Sequence, residues 1–323
     1  MNLRRLLACG ALLLPLSPAT AQSDLTAVQW LQRVYSATQK LSYAGTFVYH
    51  HDDQVETSRI TRLVDASGPV ERLEILDGVP REIIRSRDQV VCYLPSTMTI
   101  KIDKQGGRQP FPLILPARLK DLSENYVVRK GEVERVAGFE CQVIVLEPRD
   151  KLRYGQKLCA EVATGMLLKV KTYGEKDEML ETFAFTQLKI GGHIDRDRVR
   201  TRFAAKSKDW RVEDSGAAET DLAQAGWSVR SQPPGFRKVM EMTRTLNGAS
   251  GVGHIVFSDG LAAVSVFIEP VASRNASRQP GLSRQGAINV YARRLDDHWV
   301  TVVGEAPPES VKLIAHAVEY RKP

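Results

Sequence analysis

Residues 30–49, WLQRVYSATQKLSYAGTFVY, change their hydrophobic period half-way along. Around the first half, Leu25, Val28, Leu31, Val34, Thr38 and Leu41 recur at helical spacing, and Trp30 and Tyr35 widen the apolar face. Ser23 or Asp24 is placed to cap this helix, which runs to about Leu41. From Tyr43 the alternation becomes that of a strand. Strand-like runs then follow at 43–50, 54–64, 70–76, 81–86, 89–94, 97–102, 126–135, 139–147, 154–162, 166–173 and 179–189. The breaks carry turn chemistry: Asp77-Gly78, Gly106-Gly107, Gly138, Thr164-Gly165 and Gly174. Short connections between successive strands make antiparallel neighbours. One helix followed by so long a meander predicts a strongly curved sheet wrapped around that helix.

The segment 110–116, PFPLILP, breaks the meander, because prolines are not tolerated inside a sheet. It still carries Phe111, Leu113, Ile114 and Leu115. Two readings stand: a loop folded over the core, or a movable apolar lid over a cavity left by the curved sheet. From 204 to 225 Lys, Asp, Glu, Ser and Ala take over, the composition of an interdomain linker. A second domain starts near Trp227, with strands at 227–231, 236–246, 252–258, 261–268, 286–295 and 298–303. Asp259-Gly260 reads as a hairpin turn. Pro307 and Pro308 open a last helix whose stripe is Val311, Ile314, Ala315 and Val318. The predicted class is mainly β with α+β character.

The first 21 residues set the compartment. Arg4 and Arg5 precede the apolar run LLACGALLLPL, about eleven residues and too short to span a bilayer. Ala19-Thr20-Ala21 supplies the small residues of a cleavage site before Gln22, so 1–21 read as a cleaved secretory signal. Leu6-Leu7-Ala8-Cys9 resembles a lipoprotein box, but lies too close to the arginine pair. Export out of the cytoplasm argues against ATP- and NAD-dependent chemistry and transcription-factor roles. Loss of Arg4 and Arg5 lowers the formal charge from +7 to +5, with acids interspersed nearly everywhere. Roughly 300 residues remain, the size of two domains.

Cys92, Cys141 and Cys159 follow the signal. Cys141 and Cys159 flank two β-type runs and centre on residue 150, so a symmetric hairpin puts them directly opposite, within disulfide reach. The compartment permits the bond. Two buried thiols are the alternative, and three cysteines allow three single pairings.

No spacing for a zinc protease, redox pair, nucleophile elbow or phosphate loop occurs. Adjacent His50 and His51 face opposite sides of a strand and do not share a metal. The other histidines read as surface or capping residues. Asp195 and Asp197 read as ion-pair partners of Arg196, Arg198, Arg200 and Arg202. The sequence therefore predicts no enzyme, cofactor, metal or nucleic acid. Between Glu269 and Asp296 there is no acid, yet Arg274, Arg278, Arg284, Arg293 and Arg294 occur. Such a stretch suits phosphates or an acidic peptide; a wet surface is the plain reading.

The small-domain stretches FSDGLAAVSVFIEP (257–270) and QGAINVYARRLDDHWVTVVGEAP (285–307) resemble the C-terminal domain of the RseB/MucB family of periplasmic sigma-factor regulators. The opening WLQRVYSATQKLSYAGTFVY, then LEILDGVPREIIR and GFECQVIVLEPRDKLRYG, resemble its first domain, so the likeness covers nearly the whole chain after the signal. It implies, for residues 22–203, a lipid-sensing domain similar to the carriers LolA and LolB, an unclosed antiparallel β-barrel wrapped on helices. It implies, for residues 226–323, a smaller α+β domain that grips the periplasmic part of a transmembrane anti-sigma factor of RseA or MucA type. Such proteins shield the anti-sigma factor from regulated proteolysis and are released by lipopolysaccharide or lipoprotein acyl chains. In that frame Trp30, Phe111, Leu113, Ile114 and Leu115 are candidate lipid contacts or lid, and the five arginines are candidate partner contacts. The competing reading is a periplasmic lipid or lipoprotein carrier, which would not need residues 227–323. Oligomeric state is not specified, and a homo-oligomer stays open.

Overall fold

The computed structural model describes residues 25–104, 120–246, 248–272 and 278–322. Helix α1 (Ala27–Lys40) opens it. Its cap is Thr26, not Ser23 or Asp24, which lie outside the described residues. The Thr26 hydroxyl accepts from the Gln29 N–H and the Gln29 side chain accepts from the Thr26 N–H, a reciprocal box.

Strands β1 (Tyr43–His51), β2 (Gln54–Asp65), β3 (Gly68–Ile75), β4 (Arg81–Arg85), β5 (Val90–Leu94) and β6 (Thr99–Asp103) each pair antiparallel with the next. After helix α2 (Lys120–Asn125), strands β7 (Tyr126–Val136), β8 (Phe139–Pro148), β9 (Gly155–Glu161), β10 (Leu167–Tyr173) and β11 (Met179–Ile190) do the same. The return of β11 to β1 makes one sheet of two meanders, ordered β6 to β1 and then β11 to β7. Strands β6 and β7, consecutive in the sequence, thus lie far apart in the sheet. The outermost strands are not partners, so the barrel is unclosed.

The inner face closes on α1. Trp30, Leu31 and Val34 are buried with Phe47, Ile60, Ile144, Leu146, Leu158 and Phe185. Cys141 and Cys159 are disulfide-bonded with Cα atoms 5.3 Å apart. The hairpin centres on residue 151, one later than expected: Cys159 pairs with Val143, and Cys141 with Glu161. The bridge is therefore diagonal, not directly cross-strand. Closing that loop contributes about 3 kcal/mol in the chain-entropy account.

The stretch expected to be a linker is pinned at both ends. Strand β12 (Arg211–Asp214) runs parallel beside β6, and β13 (Ala218–Glu219) joins the second sheet. That sheet is ordered β13, β15 (Arg237–Leu246), β16 (Ala249–Ser258), β17 (Ala263–Pro270), β20 (His298–Gly304), β19 (Ile288–Leu295), β18 (Gly281–Gln285). Helix α3 (Pro308–Ala317) buries Val311, Ile314 and Ala315 against Val264, Val266, Val300 and Val302. Val318 is buried too, but in strand β21 (Val318–Tyr320), which pairs with β14 (Trp227–Val229) apart from the main sheet. Among the described residues no helix is long and apolar enough to cross a membrane.

Candidate functional site

The cross-strand register defines what the inner face offers. Ile60 pairs with Leu73, Leu73 with Ile83, and Ile83 with Cys92, so these four share the face on which α1 sits. Ile60 is fully buried, whereas Leu73, Ile83 and Cys92, with neighbouring Ile75, Val90 and Leu94, are only half-buried. Towards β5 the sheet therefore presents an apolar surface that the core of the described residues covers only in part. Next to it runs a charged row: Arg62 pairs with Glu71, and Arg85 reaches Glu71 at 3.0 Å. Arg62 also donates to the Thr38 carbonyl, at 2.6 Å, which ties the end of α1 to β2. Cys92 is free, and burial raises its thiol. Trp30 is nearly closed off in the core, with Arg33 4.9 Å over its ring. Phe111, Leu113, Ile114 and Leu115 lie outside the described residues.

A second arrangement holds the domains together, and the sequence reading missed it. Arg153, in the β8–β9 turn, is wholly buried and donates to Asp259 in the small domain at 2.7 Å. Asp259 also accepts the Tyr126 hydroxyl at 3.0 Å and the N–H groups of Leu261 and Ala262. The other side of Arg153 is satisfied by Asp150 at 3.0 Å and by the Pro234 carbonyl. Its guanidinium lies over Tyr126 and Phe236. Burial, with Asp259 close by, pushes the Tyr126 hydroxyl far up. Burial opposes ionisation of Asp150, but Arg153 overrides it and holds the carboxyl low. Leu261 joins the large domain's core. Gly235 sits so close to Asn125 that an added Cβ would lie 2.3 Å from its side chain. Asp259-Gly260 is legible as a turn, but a turn composition does not reveal a buried ion pair 106 residues away in the chain.

Further contacts extend this junction. The Gly286 N–H donates to Asp52 at 2.8 Å, Ser310 to the Leu152 carbonyl at 2.6 Å, and Asn289 to the Tyr154 hydroxyl at 2.9 Å. An open cleft of about 1000 Å³ lies alongside. Its charges are largely matched: Arg129 with Glu147, and Lys151 with Glu175 at 3.8 Å.

The candidate arginines are not gathered on one surface. Arg293 points to α3 and donates to the Ala315 and Val318 carbonyls at 2.8 and 2.7 Å. Its neighbour Arg294 faces the other way, 3.9 Å from Asp297. Arg278 lies over Trp299, and Arg284 reaches Glu178 of the large domain at 3.4 Å. Arg274 lies outside the described residues. His254 is likewise not a surface histidine: it is buried on β16.

Comparison with known proteins gives this architecture a family. Residues 26–203 match the MucB/RseB N-terminal domain and residues 221–319 the MucB/RseB C-terminal domain. The Pseudomonas aeruginosa sigma factor AlgU regulatory protein MucB is 33% identical over 310 residues, covering 93% of this chain and 92% of that protein. The Haemophilus influenzae sigma-E factor regulatory protein RseB is 25% identical over 314 residues, 96% of each. The solved complex of Pseudomonas aeruginosa MucA and MucB aligns with a TM-score of 0.71 at 28% identity, covering 92% of this chain and 99% of that one. Both domains, in the same order and over most of their length, place this chain in the MucB/RseB family.

Proposed function

We propose that the protein is a periplasmic negative regulator of an envelope-stress sigma factor. It binds the periplasmic part of a membrane-spanning anti-sigma factor and shields it from regulated proteolysis. Lipid or lipoprotein signals release it. The observation that carries this reading is the alignment of 92% of the chain with MucB solved in complex with MucA(peri), at a TM-score of 0.68 and 29% identity. In this reading residues 1–21 are removed on export, 22–203 form the lipid-sensing domain, 204–225 connect, and 226–323 contribute partner contacts. The half-buried apolar face of β3–β5 supports the lipid part, since each methylene of an acyl chain buried there contributes about 0.8 kcal/mol. Release follows only if the lipid favours the partner-free conformation. The carrier reading draws on the same face, but leaves the buried junction to the small domain without a use.

The test mixes the chain from residue 22 with the periplasmic segment of the anti-sigma factor from the same organism, across a range of salt. A complex that protects the segment from protease, and dissociates on adding an acylated peptide, is expected. Replacing Arg278 and Arg284 by Glu should weaken it and flatten its salt dependence. Acyl-peptide binding with no complex at any salt would favour the carrier.

A further inference from the structure

We propose that a hollow on the outer face of the large sheet binds a phosphate group. It has a volume of about 340 Å³ and lies over the irregularity where β1 meets β11. Ala44, Thr46 and Thr61 keep its floor shallow and supply two hydroxyls. Arg59, Lys189 and Arg198 surround it, and no carboxylate belongs to its lining. In the junction cleft, by contrast, cations and carboxylates alternate.

The run from 195 to 202 shows how uneven the charge matching is. Arg196 lies 2.5 Å from Asp65, Arg200 2.8 Å from Asp197, and Arg202 3.3 Å from Glu74. Arg198 and Lys189 have no such partner among the described residues. Arg59 has Glu74 at 3.9 Å, a carboxylate already 3.0 Å from Arg72. The backbone beneath Arg198 is nevertheless fixed. Arg72 donates to its carbonyl at 3.3 Å, and Asp195 accepts the Asp197 N–H at 2.9 Å. A held main chain with three cations lining one hollow, only Arg59 of them within 4 Å of a carboxylate among the described residues, is the arrangement that a multivalent oxyanion neutralises. The chemistry fits a phosphate mono- or diester, free or on a lipid headgroup. The hollow is on the opposite face from the half-buried apolar surface, so this inference does not depend on the regulatory reading.

The experiment uses the chain from residue 22 with three probes: vesicles containing phosphatidylglycerol, vesicles of phosphatidylcholine alone, and inorganic phosphate. Vesicles are followed by co-sedimentation, and phosphate by amide NMR shifts at Thr46, Thr61 and Gln187. Replacing Lys189 and Arg198 by Gln should weaken binding to anionic vesicles by about fivefold per lost cation. Arg321→Gln with Lys322→Gln, which removes two exposed charges from the small domain, should leave it unchanged. Phosphate shifts lost in the Lys189/Arg198 variant, without vesicle binding, assign the site to the free anion; loss of vesicle binding assigns it to a headgroup. Equal loss in both double variants, or no response of the wild type to any probe, overturns the proposal.

Discussion

His254 shows what one side chain does to the pH response. Its ring stacks on Phe267 with centroids 4.3 Å apart, and neither ring nitrogen has a hydrogen-bond partner among the described residues. Burial, reinforced by the positive charge of Arg244, lowers its pKa to about 4. In the unfolded chain a histidine titrates near 6.5. Between these values the unfolded state binds a proton that the folded state refuses. The stability that the buried His254 contributes is thus complete above about pH 6.5 and falls as pH drops towards 4, by up to about 3 kcal/mol. Asp52, held low by the Gly286 N–H, and Asp65, held low by Ser67, act in a separate window. Their contribution is present above the ordinary carboxylate range and is lost only as pH falls below it. Replacing His254 by Phe should therefore flatten the dependence between pH 6.5 and 4. Denaturant midpoints at the two pH values check this, and an unchanged slope would mean that another group carries it. The sequence gives no warning, since a lone histidine within alternating Gly, Val and Ile looks like any half-exposed strand position.

At the scale of elements, α1 is the piece whose start the sequence leaves ambiguous. Ser23, Asp24 and Thr26 all carry side chains that suit a cap. Only Thr26 has a glutamine three residues on, and that reciprocal bond selects it. Thr26→Ala should lower the stability of the large domain by about 1 kcal/mol, read from its denaturation midpoint. Gln29→Ala should reproduce part of the loss; no loss from either would show that packing of Trp30 and Leu31 alone sets the helix start. The strands were legible because their apolar residues alternate. Strand β18, GLSRQ, is exposed throughout, and β12 is recruited only by its parallel partner β6, so neither leaves a period to read.

For the whole molecule the decisive feature is the buried pair Arg153–Asp259. Removing one partner of such a pair costs about 3–5 kcal/mol, because the other charge stays buried without compensation. Asp259→Asn keeps an oxygen for the Leu261 and Ala262 N–H groups and removes the charge that Arg153 faces. It should destabilise the junction by about 3 kcal/mol and split a single calorimetric unfolding transition into two. Replacing both residues by apolar ones of similar size, Arg153→Met with Asp259→Leu, should recover part of the coupling. One unaltered transition in Asp259→Asn would show that the remaining contacts, such as Ser310 to Leu152, hold the domains on their own.

The sequence by itself determined the two-domain, mainly antiparallel architecture and nearly every strand, because period-two alternation is a local consequence of one buried face. It also determined the family, through stretches spread along most of the chain. It brought Cys141 and Cys159 within bonding distance but misplaced the hairpin by one residue, since register depends on how the turn closes. Tertiary structure alone decided that the presumed linker edges both sheets. It also separated the small domain's arginines, and turned Arg153, Asp259 and His254 into buried groups. These outcomes depend on contacts between residues far apart in the chain. Burial and charge pairing are set by which surfaces meet, and composition within a window carries no record of that meeting.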